Sequence, residues 1–365
     1  MNTVIELHNQ AMKLSQRAMV ARHNGDKACA ETLAREAFEY ELQAAELIPN
    51  TKTSEPTRSI LYCSAASLAY ECQEWEAAKR LITKSLSGYP SERIKDELKT
   101  LSKRVNFESY LQTQGGTTRD NELHLFMLGS AVTSGTIVYD EFINRLTPLT
   151  TLIDKTALRL RGIDYHKTGL VPSAFIPALS ILHREGNFAI TIKLVATEHN
   201  LSMPKPQSVI DEIMTGIELI NDFNEEALKE FIKAPGYYQN FLALTHNLAP
   251  DGDKIDFVGL SSLRKIVSLT RLSSEIELCS TQVDFEVERK PIKVEGILNY
   301  ADSLKPEVIG LTTQEKSNYK IFLGEGLDDY VKLYFGRWVV VNGDFDGHFI
   351  YPKDLQTLTS HRLTA

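Results

Sequence analysis

The stretch from Arg58 to Pro90 constrains the fold more than any other part of this chain, because it has the pattern of two short helices joined by a tight turn. Apolar residues recur there at the spacing of a helix face: Ile60, Leu61, Ala65, Leu68 and Ala69, then Ala77, Ala78, Leu81, Ile82 and Leu86. The polar residues 71–74 interrupt the pattern, and Pro90 ends it because proline cannot continue a helix. The stretch therefore predicts a helical hairpin.

This hairpin resembles the tetratricopeptide repeat, a helix-turn-helix unit of about 34 residues. The matching positions are the small residue where the helices touch, the aromatic that starts the second helix, the following alanine and the terminal proline: Ala66, Trp75, Ala78 and Pro90. Ala69 departs from the pattern, which prefers a bulkier residue there. The resemblance covers about a tenth of the chain and implies a unit that docks other proteins.

Further helical patterns flank the hairpin. Apolar residues mark helices over Leu7–Ala21 and Ala30–Leu47, separated by a turn in which Asp26 is placed to cap the second helix. A last helix is predicted over Ser91–Val105. Because one repeat needs a neighbour to bury its apolar face, we expect residues 1–105 to form a tetratricopeptide-like bundle of five helices.

The candidate partner-binding residues of this bundle are aromatic and lie on its alanine-rich faces: Tyr40, Tyr62, Tyr70 and Trp75. Packing between helices is the alternative for Trp75. In a second interpretation, the whole bundle only supports the rest of the chain or forms a homo-oligomer.

Composition limits the classes of function. The net charge of −8 argues against a general nucleic-acid-binding protein, since lysine and arginine dominate affinity for phosphate. No run of about 18 apolar residues predicts a membrane span, and the first ten residues carry no secretory signal pattern. We therefore expect a cytoplasmic protein without membrane contact and without a cofactor.

The four cysteines also fit a reducing compartment: Cys29, Cys63, Cys72 and Cys279. None forms a C-x-x-C pair, and none has a histidine at zinc-ligand spacing. We expect all four to be reduced residues of the core, because a small thiol packs well in helices.

A polar, glycine-containing stretch predicts a linker over residues 106–121, followed by a central α/β layer domain over 122–282. Its strands are expected at Leu123–Leu128, Phe188–Val195 and Ile255–Gly259. Its helices are expected at Tyr139–Leu160, Val209–Ile220, 225–248 with a break at Pro235, and 261–278, with a loop from Gly162 to Pro177.

Strand patterns dominate residues 283–365. They are expected at Val283–Val287, Ile292–Leu298, Val308–Leu311, Tyr319–Leu323, Trp338–Val341 and His348–Tyr351, with a short helix at Leu327–Phe335 and a hairpin loop at Asn342–Gly347. Several short strands with one late helix predict a small OB-like or SH3-like barrel. The complete fold class is thus α+β and multidomain.

OB-like barrels often bind single-stranded nucleic acid through aromatic side chains in a basic groove. Aromatic residues are available here, but residues 283–352 contain 12 acidic against 8 basic side chains. This balance favours a structural or protein-binding barrel.

Arg161 and His166 form an R-x-x-x-x-H pair that resembles the motif of HEPN ribonucleases. The resemblance implies proton transfer by His166 and phosphate stabilisation by Arg161. HEPN domains are entirely helical, however, whereas strands are predicted soon after this pair. A solvated helix end is the alternative, and it is the one we favour.

Two aspartate groups have oxygen ligands for a hard cation. They are Asp251, Asp253 and Asp256, and Asp344 with Asp346. Neither has the full calcium-loop spacing, and aspartate and glycine are also typical of turns. We therefore expect no metal site, and no phosphate-binding loop or nucleophile elbow is present.

The order of helical repeat, α/β piece and small barrel resembles a recurring, functionally uncharacterised bacterial architecture. The segments that carry this resemblance are EPTRSILYCSAASLAYECQEWEAAKRLI, EGNFAITIKL and EGLDDYVKLYFGRWVVVNG. The sequence favours a non-enzymatic adaptor that docks a protein partner on its helical repeat. The alternative is a nucleic-acid-linked regulator or ribonuclease of a bacterial defence or toxin-related system.

Overall fold

The computed structural model divides the chain into two compact units, Met1–Gly116 and Thr117–Ala365. It describes residues 2–357 except for 114–117, 134, 166–172, 185–186, 198–202, 277–288, 303–304, 325, 328, 330 and 332.

The first unit is helical. Its α-helices are α1 (Asn2–His23), α2 (Lys27–Glu46), α3 (Thr57–Glu71), α4 (Trp75–Leu86) and α5 (Glu92–Thr113). The prediction of five N-terminal helices is confirmed. Helix α5 ends at Thr113, inside the stretch 106–121 that the sequence predicts to be a linker.

Small residues allow these helices to approach closely. The side chains of Ala44, Ala65, Ala66, Ala69 and Ala78 are all fully buried in the core. The turn before α2 is fixed by its cap, since the Asp26 side chain accepts a hydrogen bond from the backbone N–H of Cys29. Alanine therefore serves here as a contact residue between helices.

The second unit contains a mixed layer of strands and helices. Its first strands are β1 (Glu122–Leu128), β2 (Val132–Thr133), β3 (Thr136–Ile137), β4 (Phe175–Arg184), β5 (Asn187–Ala196), β6 (Phe257–Ser261) and β7 (Ile266–Leu269). Its helices are α6 (Tyr139–Leu160), α7 (Pro206–Asn221), α8 (Glu225–Phe231) and α9 (Pro235–Leu248). The sheet has the order β4-β5-β1-β6-β7, and every neighbouring pair in it is antiparallel.

Two sequence predictions for this layer are wrong. Strand β4 begins at Phe175, inside the predicted loop, and pairs along its length with β5. The predicted helix 261–278 instead contains β7, which forms a hairpin with β6, and a short 3₁₀ turn at Ser273–Glu275. Its apolar residues fit a helical period, but pairing with the buried strand β6 decides their conformation.

The predicted C-terminal barrel is confirmed as a closed barrel of five strands. These are β8 (Lys290–Asp302), β9 (Lys305–Thr312), β10 (Asn318–Phe322), β11 (Trp338–Phe345) and β12 (Ile350–Thr357), in the order β10-β12-β11-β8-β9. The β10–β12 pair is parallel and includes Ile321 opposite Ile350, whereas the other neighbours are antiparallel. Apolar side chains from all five strands fill the interior.

The hairpin that joins β11 and β12 is shorter than predicted. Residues 342–345 of the predicted loop belong to β11, and the turn begins at Asp346. Asp346 accepts hydrogen bonds from the backbone N–H groups of His348 and Phe349, both at 2.7 Å. The predicted strand Val283–Val287 lies outside the described residues, as does part of the predicted helix Leu327–Phe335.

The barrel docks on α6 and α9 within the second unit. Lys155 Nζ lies 2.8 Å from Asp329 Oδ2, and Arg337 donates to Asn144 Oδ1 at 2.8 Å. Ala243 of α9 belongs to the apolar core of the barrel. Apolar packing and directed polar contacts therefore both hold the barrel against the helices.

Candidate binding groove and polar cleft

Tyr70 and Trp75 meet in a groove of the helical unit. Their ring centroids lie 5.4 Å apart in an edge-to-face arrangement. Tyr70 lies near the end of α3 and Trp75 begins α4, so the short turn between the helices places them side by side. The groove is open, has a volume of about 590 Å³, and is lined by Arg22, Lys27, Ala30, Glu31, Tyr70, Glu71, Gln73, Trp75, Glu108, Leu111 and Gln112.

Two residues of α5 hold the Tyr70 ring. The Arg104 guanidinium lies 4.6 Å from the ring centroid, and the Tyr70 hydroxyl hydrogen-bonds with both Arg104 and Glu108. Burial raises the pKa of Tyr70. Burial also raises the pKa of Glu108, and the opposing effects of Arg104 and Tyr70 do not cancel this shift.

The other two aromatic candidates lie outside this groove. Tyr62 is buried in the core, where the Arg58 guanidinium lies 4.7 Å from its ring centroid. Tyr40 is half-buried and packs against the apolar cluster between α1 and α2. The structure thus brings together two of the four aromatic residues selected from the sequence.

A second concave site lies in the other unit, between α6, α9 and β12. This polar cleft has a volume of about 270 Å³. Arg145 is buried there between two carboxylates, with Nη1 at 2.7 Å from Glu141 Oε2 and Nη2 at 2.5 Å from Asp251 Oδ2. Lys254 Nζ lies 2.9 Å from the other oxygen of Glu141. The charges of the cleft therefore pair largely with one another.

Asp251 also organises its own loop. Its Oδ1 accepts hydrogen bonds from the backbone N–H groups of Asp253, Lys254 and Ile255. Burial raises the pKa of this carboxyl, but these hydrogen bonds and the charge of Arg145 outweigh burial and lower it overall. The predicted aspartate turn is thus a loop that is fixed to α6 through an ion pair.

His246 and Asp354 connect α9 with the barrel beside the same cleft. His246 Nε2 lies 3.1 Å from Asp354 Oδ1, and its Nδ1 lies 3.0 Å from the carbonyl oxygen of Ile276. Burial raises the pKa of Asp354, but His246 and the hydrogen bonds from Asn342 and from the backbone of Leu355 together outweigh burial and lower it. The two ring nitrogens of His246 thus connect Ile276 with strand β12.

The structure describes the remaining sequence candidates only in part. Arg161 is exposed at the end of α6, and His166 lies outside the described residues. Asp344 pairs with Lys353 at 2.9 Å, whereas Asp346 fixes its turn. No group of three histidine, cysteine or acidic side chains among the described residues is placed to hold a metal ion.

The expectation that all cysteines are core residues is wrong for Cys29, which is exposed near the start of α2. Its neighbours on the helix, such as Ala30, carry the apolar face instead. Cys63 is buried and Cys72 half-buried, and burial raises the pKa of each thiol to about 11. Cys279 lies outside the described residues.

Sequence reasoning missed the polar partners of both sites. Glu141 and Arg145 are spaced by four residues on α6, a spacing that indicates an ion pair on one helix face. Arg104 and Glu108 have the same spacing on α5. That signal identifies pairs, but it does not show that one pair faces Tyr70 and the other Asp251.

Comparisons of this chain with family models, with curated proteins and with solved structures found no significant match. Among the described residues, no helix combines the length and apolar character that crossing a membrane requires.

Proposed function

We propose that this chain is a non-enzymatic adaptor that docks a protein partner in the groove of its helical unit. The observation that carries this proposal is the meeting of Tyr70 and Trp75 in one open groove of about 590 Å³. Aromatic side chains in concave surfaces commonly anchor protein partners, because they supply large contact area at small entropic cost.

The finer fold assignments support the same function. Ala66 and Ala78 are fully buried in the core that α3 and α4 share, and Trp75 begins α4, as a tetratricopeptide-type hairpin requires. The five strands of the barrel and the segment between β10 and β11 favour the OB-like alternative. We place the adaptor in the bacterial cytoplasm on the basis of its sequence.

A groove-blocking variant tests the adaptor. Gln112 lines the groove and is exposed on α5, so Gln112→Trp fills the groove without disturbing the core. Gln16→Trp, an equally exposed change on α1, is the matched control. The full chain and both variants are immobilised, and binding of candidate partner proteins is measured by biolayer interferometry.

We expect a stoichiometric partner that binds the full chain and Gln16→Trp equally and loses affinity for Gln112→Trp. If the partner binds Gln112→Trp and Gln16→Trp equally, the groove is not its binding site. Self-association that Gln112→Trp abolishes would identify a homo-oligomer as the occupant.

A specific observation favours a second candidate function for the barrel, contact with single-stranded nucleic acid. Phe322 lies 6.1 Å from Phe349 and 5.6 Å from Tyr351, measured between ring centroids. The Arg289 guanidinium lies 4.0 Å from the centroid of Tyr351. Phe322 and Phe349 are half-buried, whereas Tyr351 is buried. Partly exposed aromatic rings near a basic side chain provide a surface on which bases stack.

Fluorescence anisotropy with labelled single-stranded RNA and DNA tests this second function. Binding that falls with rising salt and is lost in Phe322→Ala supports it. Phe335→Ala, an exposed aromatic change outside this cluster, is the control. Cleavage of the RNA that disappears in His166→Ala would instead support the ribonuclease alternative.

A further inference from the structure

Strand β4 lies at one edge of the five-stranded sheet, and no strand in the described part of the chain pairs with its outer side. It is ten residues long and pairs with β5 in one unbroken register from Phe175 to Arg184. Ile176 and Leu179 are 58% and 45% exposed, so apolar side chains reach solvent along this strand. A long, regular and apolar edge strand is a template for pairing with another strand.

The register shows which backbone groups β4 presents on its outer side. Pro177 is opposite Leu194 of β5, and the N–H of Leu194 donates to the carbonyl oxygen of Asn121, on the β1 side, at 2.8 Å. The N–H and C=O of one residue point to the same side of a strand, and two residues directly opposite each other exchange either two hydrogen bonds or none. Leu194 and Pro177 thus form a pair without hydrogen bonds, and the backbone of Pro177 faces the outer side.

The backbone groups of every second residue of β4 face the same way as those of Pro177. Beyond it these residues are Leu179, Ile181 and His183, each with an N–H and a C=O. Pro177 itself has no N–H, which is why proline within a sheet favours edge strands. The stretch that can form a complete ladder therefore begins after Pro177 and ends with β4 at Arg184, and Ile181 is its centre.

This stretch is complementary to itself in the antiparallel direction. A two-fold axis at Ile181 places Leu179 of each copy opposite His183 of the other, and Ile181 opposite itself. Each of these three pairs exchanges two N–H···O=C bonds, so every outward group of the stretch has a partner. An axis at Leu179 is worse, because Pro177 would then face Ile181 and leave the Ile181 carbonyl oxygen without a donor.

The charges of β4 fit the same arrangement. Its only titratable residues are His183 and Arg184, both at one end of the strand. With the axis at Ile181, Arg184 lies opposite Ala178 of the second copy, and the two Arg184 positions are about 20 Å apart along the strands. This separation exceeds the Debye length of about 8 Å in physiological salt, so the like charges hardly interact.

We infer that the outer edge of β4 pairs with β4 of a second copy of this chain, antiparallel and centred on Ile181. The two sheets then form one continuous sheet across the two-fold axis, and the exposed side chain of Leu179 is covered. Ile176 lies beyond the paired stretch. Because two short strands bury less area than a standard stable interface, the dimer forms reversibly at high protein concentration.

Sedimentation velocity of the full chain, from about 1 μM to about 1 mM, tests for this dimer. Leu179→Lys introduces a positive charge opposite His183 of the second copy, and lysine on an edge strand opposes pairing. Val195→Lys is the matched control, since Val195 is 41% exposed in the same sheet but belongs to β5, which has a strand on each side.

We expect a monomer–dimer equilibrium of the full chain. Its dissociation constant should rise about tenfold in Leu179→Lys, because the two-fold axis introduces the unfavourable pair twice. Val195→Lys should leave the dissociation constant unchanged. Gln112→Trp fills the groove of the helical unit and should also leave this dimer intact.

Disulfide trapping tests the register. In a Cys29→Ser/Cys279→Ser background, the chain with Ser180→Cys is mixed with the chain with Leu182→Cys under a mild oxidant. The axis at Ile181 makes these positions a directly opposite pair without hydrogen bonds, with Cα atoms about 4.5 Å apart, a distance that a disulfide spans. We expect this mixture to cross-link faster than Ser180→Cys mixed with Ala178→Cys, which an axis at Leu179 would favour.

A chain that stays monomeric at the highest concentration, or a dimer that Leu179→Lys and Val195→Lys weaken equally, would overturn the inference. Faster cross-linking of the Ala178→Cys mixture would also overturn it. Self-association that only Gln112→Trp abolishes would place the contact between copies in the groove and overturn the pairing of β4. A different protein whose binding only Leu179→Lys weakens would make an extended segment of that protein the occupant, again against the inference.

Discussion

His8 Nδ1 lies 2.9 Å from Oε2 and 3.1 Å from Oε1 of Glu41, whose side chain is fully buried between α1 and α2. A carboxylate in such a position is destabilising unless a partner satisfies it. His8 therefore fastens the first half of α1 to α2, whose leucine and alanine side chains also pack together.

The first prediction concerns this pair. His8→Ala leaves Glu41 buried without its partner and should reduce the free energy of unfolding of the helical unit by about 1–3 kcal/mol. Urea unfolding followed by circular dichroism measures the loss. The double variant His8→Ala/Glu41→Met should recover most of it, because an apolar side chain of similar size needs no partner. If the double variant is as unstable as the single one, the pair contributes through packing rather than charge.

The second prediction concerns the pH dependence of the polar cleft. The pKa of Asp251 is lowered in the folded chain, so folding favours its ionised form. This stabilisation is complete above the ordinary pKa near 4 and disappears as the pH falls through the lowered value. Asp251→Asn should therefore destabilise the second unit at pH 7 and flatten the loss of stability below about pH 4.

Asp253→Asn is the control for this change, since Asp253 offers its backbone N–H rather than its side chain to the loop. Thermal unfolding of both variants at several pH values provides the comparison. Burial raises the pKa of the half-buried carboxyl of Asp154, which therefore affects stability with the opposite sign. The test is therefore the difference between the variants and the parent chain at each pH, rather than the shape of one curve. Parallel curves for Asp251→Asn and the parent chain would contradict the prediction.

Sequence periodicity correctly predicts a helix when the apolar residues of that helix all lie on one buried face. The predicted helix Tyr139–Leu160 has the observed bounds of α6, and its buried residues Leu149, Leu152 and Ile153 have the spacing of one helix face. Around Ile266, the same apolar spacing predicts a helix where the structure has strand β7. Strand pairing with β6 fixes the conformation there, and a single sequence contains no information about that neighbour.

The sequence also predicts only part of the candidate groove, because it does not show which helices are neighbours. Tyr70 and Trp75 are close in sequence, so their common location follows from the hairpin pattern. Glu108 reaches them only because α5 packs against α3 and α4. A helix periodicity defines which face of α5 is apolar, but it does not define which turn of α5 meets which end of α3. The presence of Glu108 in the lining of the groove therefore needed the structure.

The third prediction concerns the bulge of β11 at Gly343. A Cβ atom there would lie 2.2 Å from the carbonyl oxygen of Tyr351, so the two strands must separate to admit alanine. Gly343→Ala should destabilise the barrel by about 3 kcal/mol. Gly347→Ala in the adjacent turn meets nothing within 4 Å but has a φ of +95°, and it should cost only about 1 kcal/mol of backbone strain. Equal losses of stability in urea would contradict this order.

The fourth prediction concerns the thiols of the helical unit. Burial raises the pKa of Cys63 and of Cys72 to about 11, so only about a thousandth of either is thiolate at pH 8. Cys29 is exposed. In a Cys279→Ser background, a disulfide reagent should therefore modify one thiol quickly and the other two slowly, on the timescale of opening of the core. The fast phase should disappear in Cys29→Ser, and all three thiols should react together in denaturant. A fast phase that persists in Cys29→Ser would show that α3 opens more readily than its burial indicates.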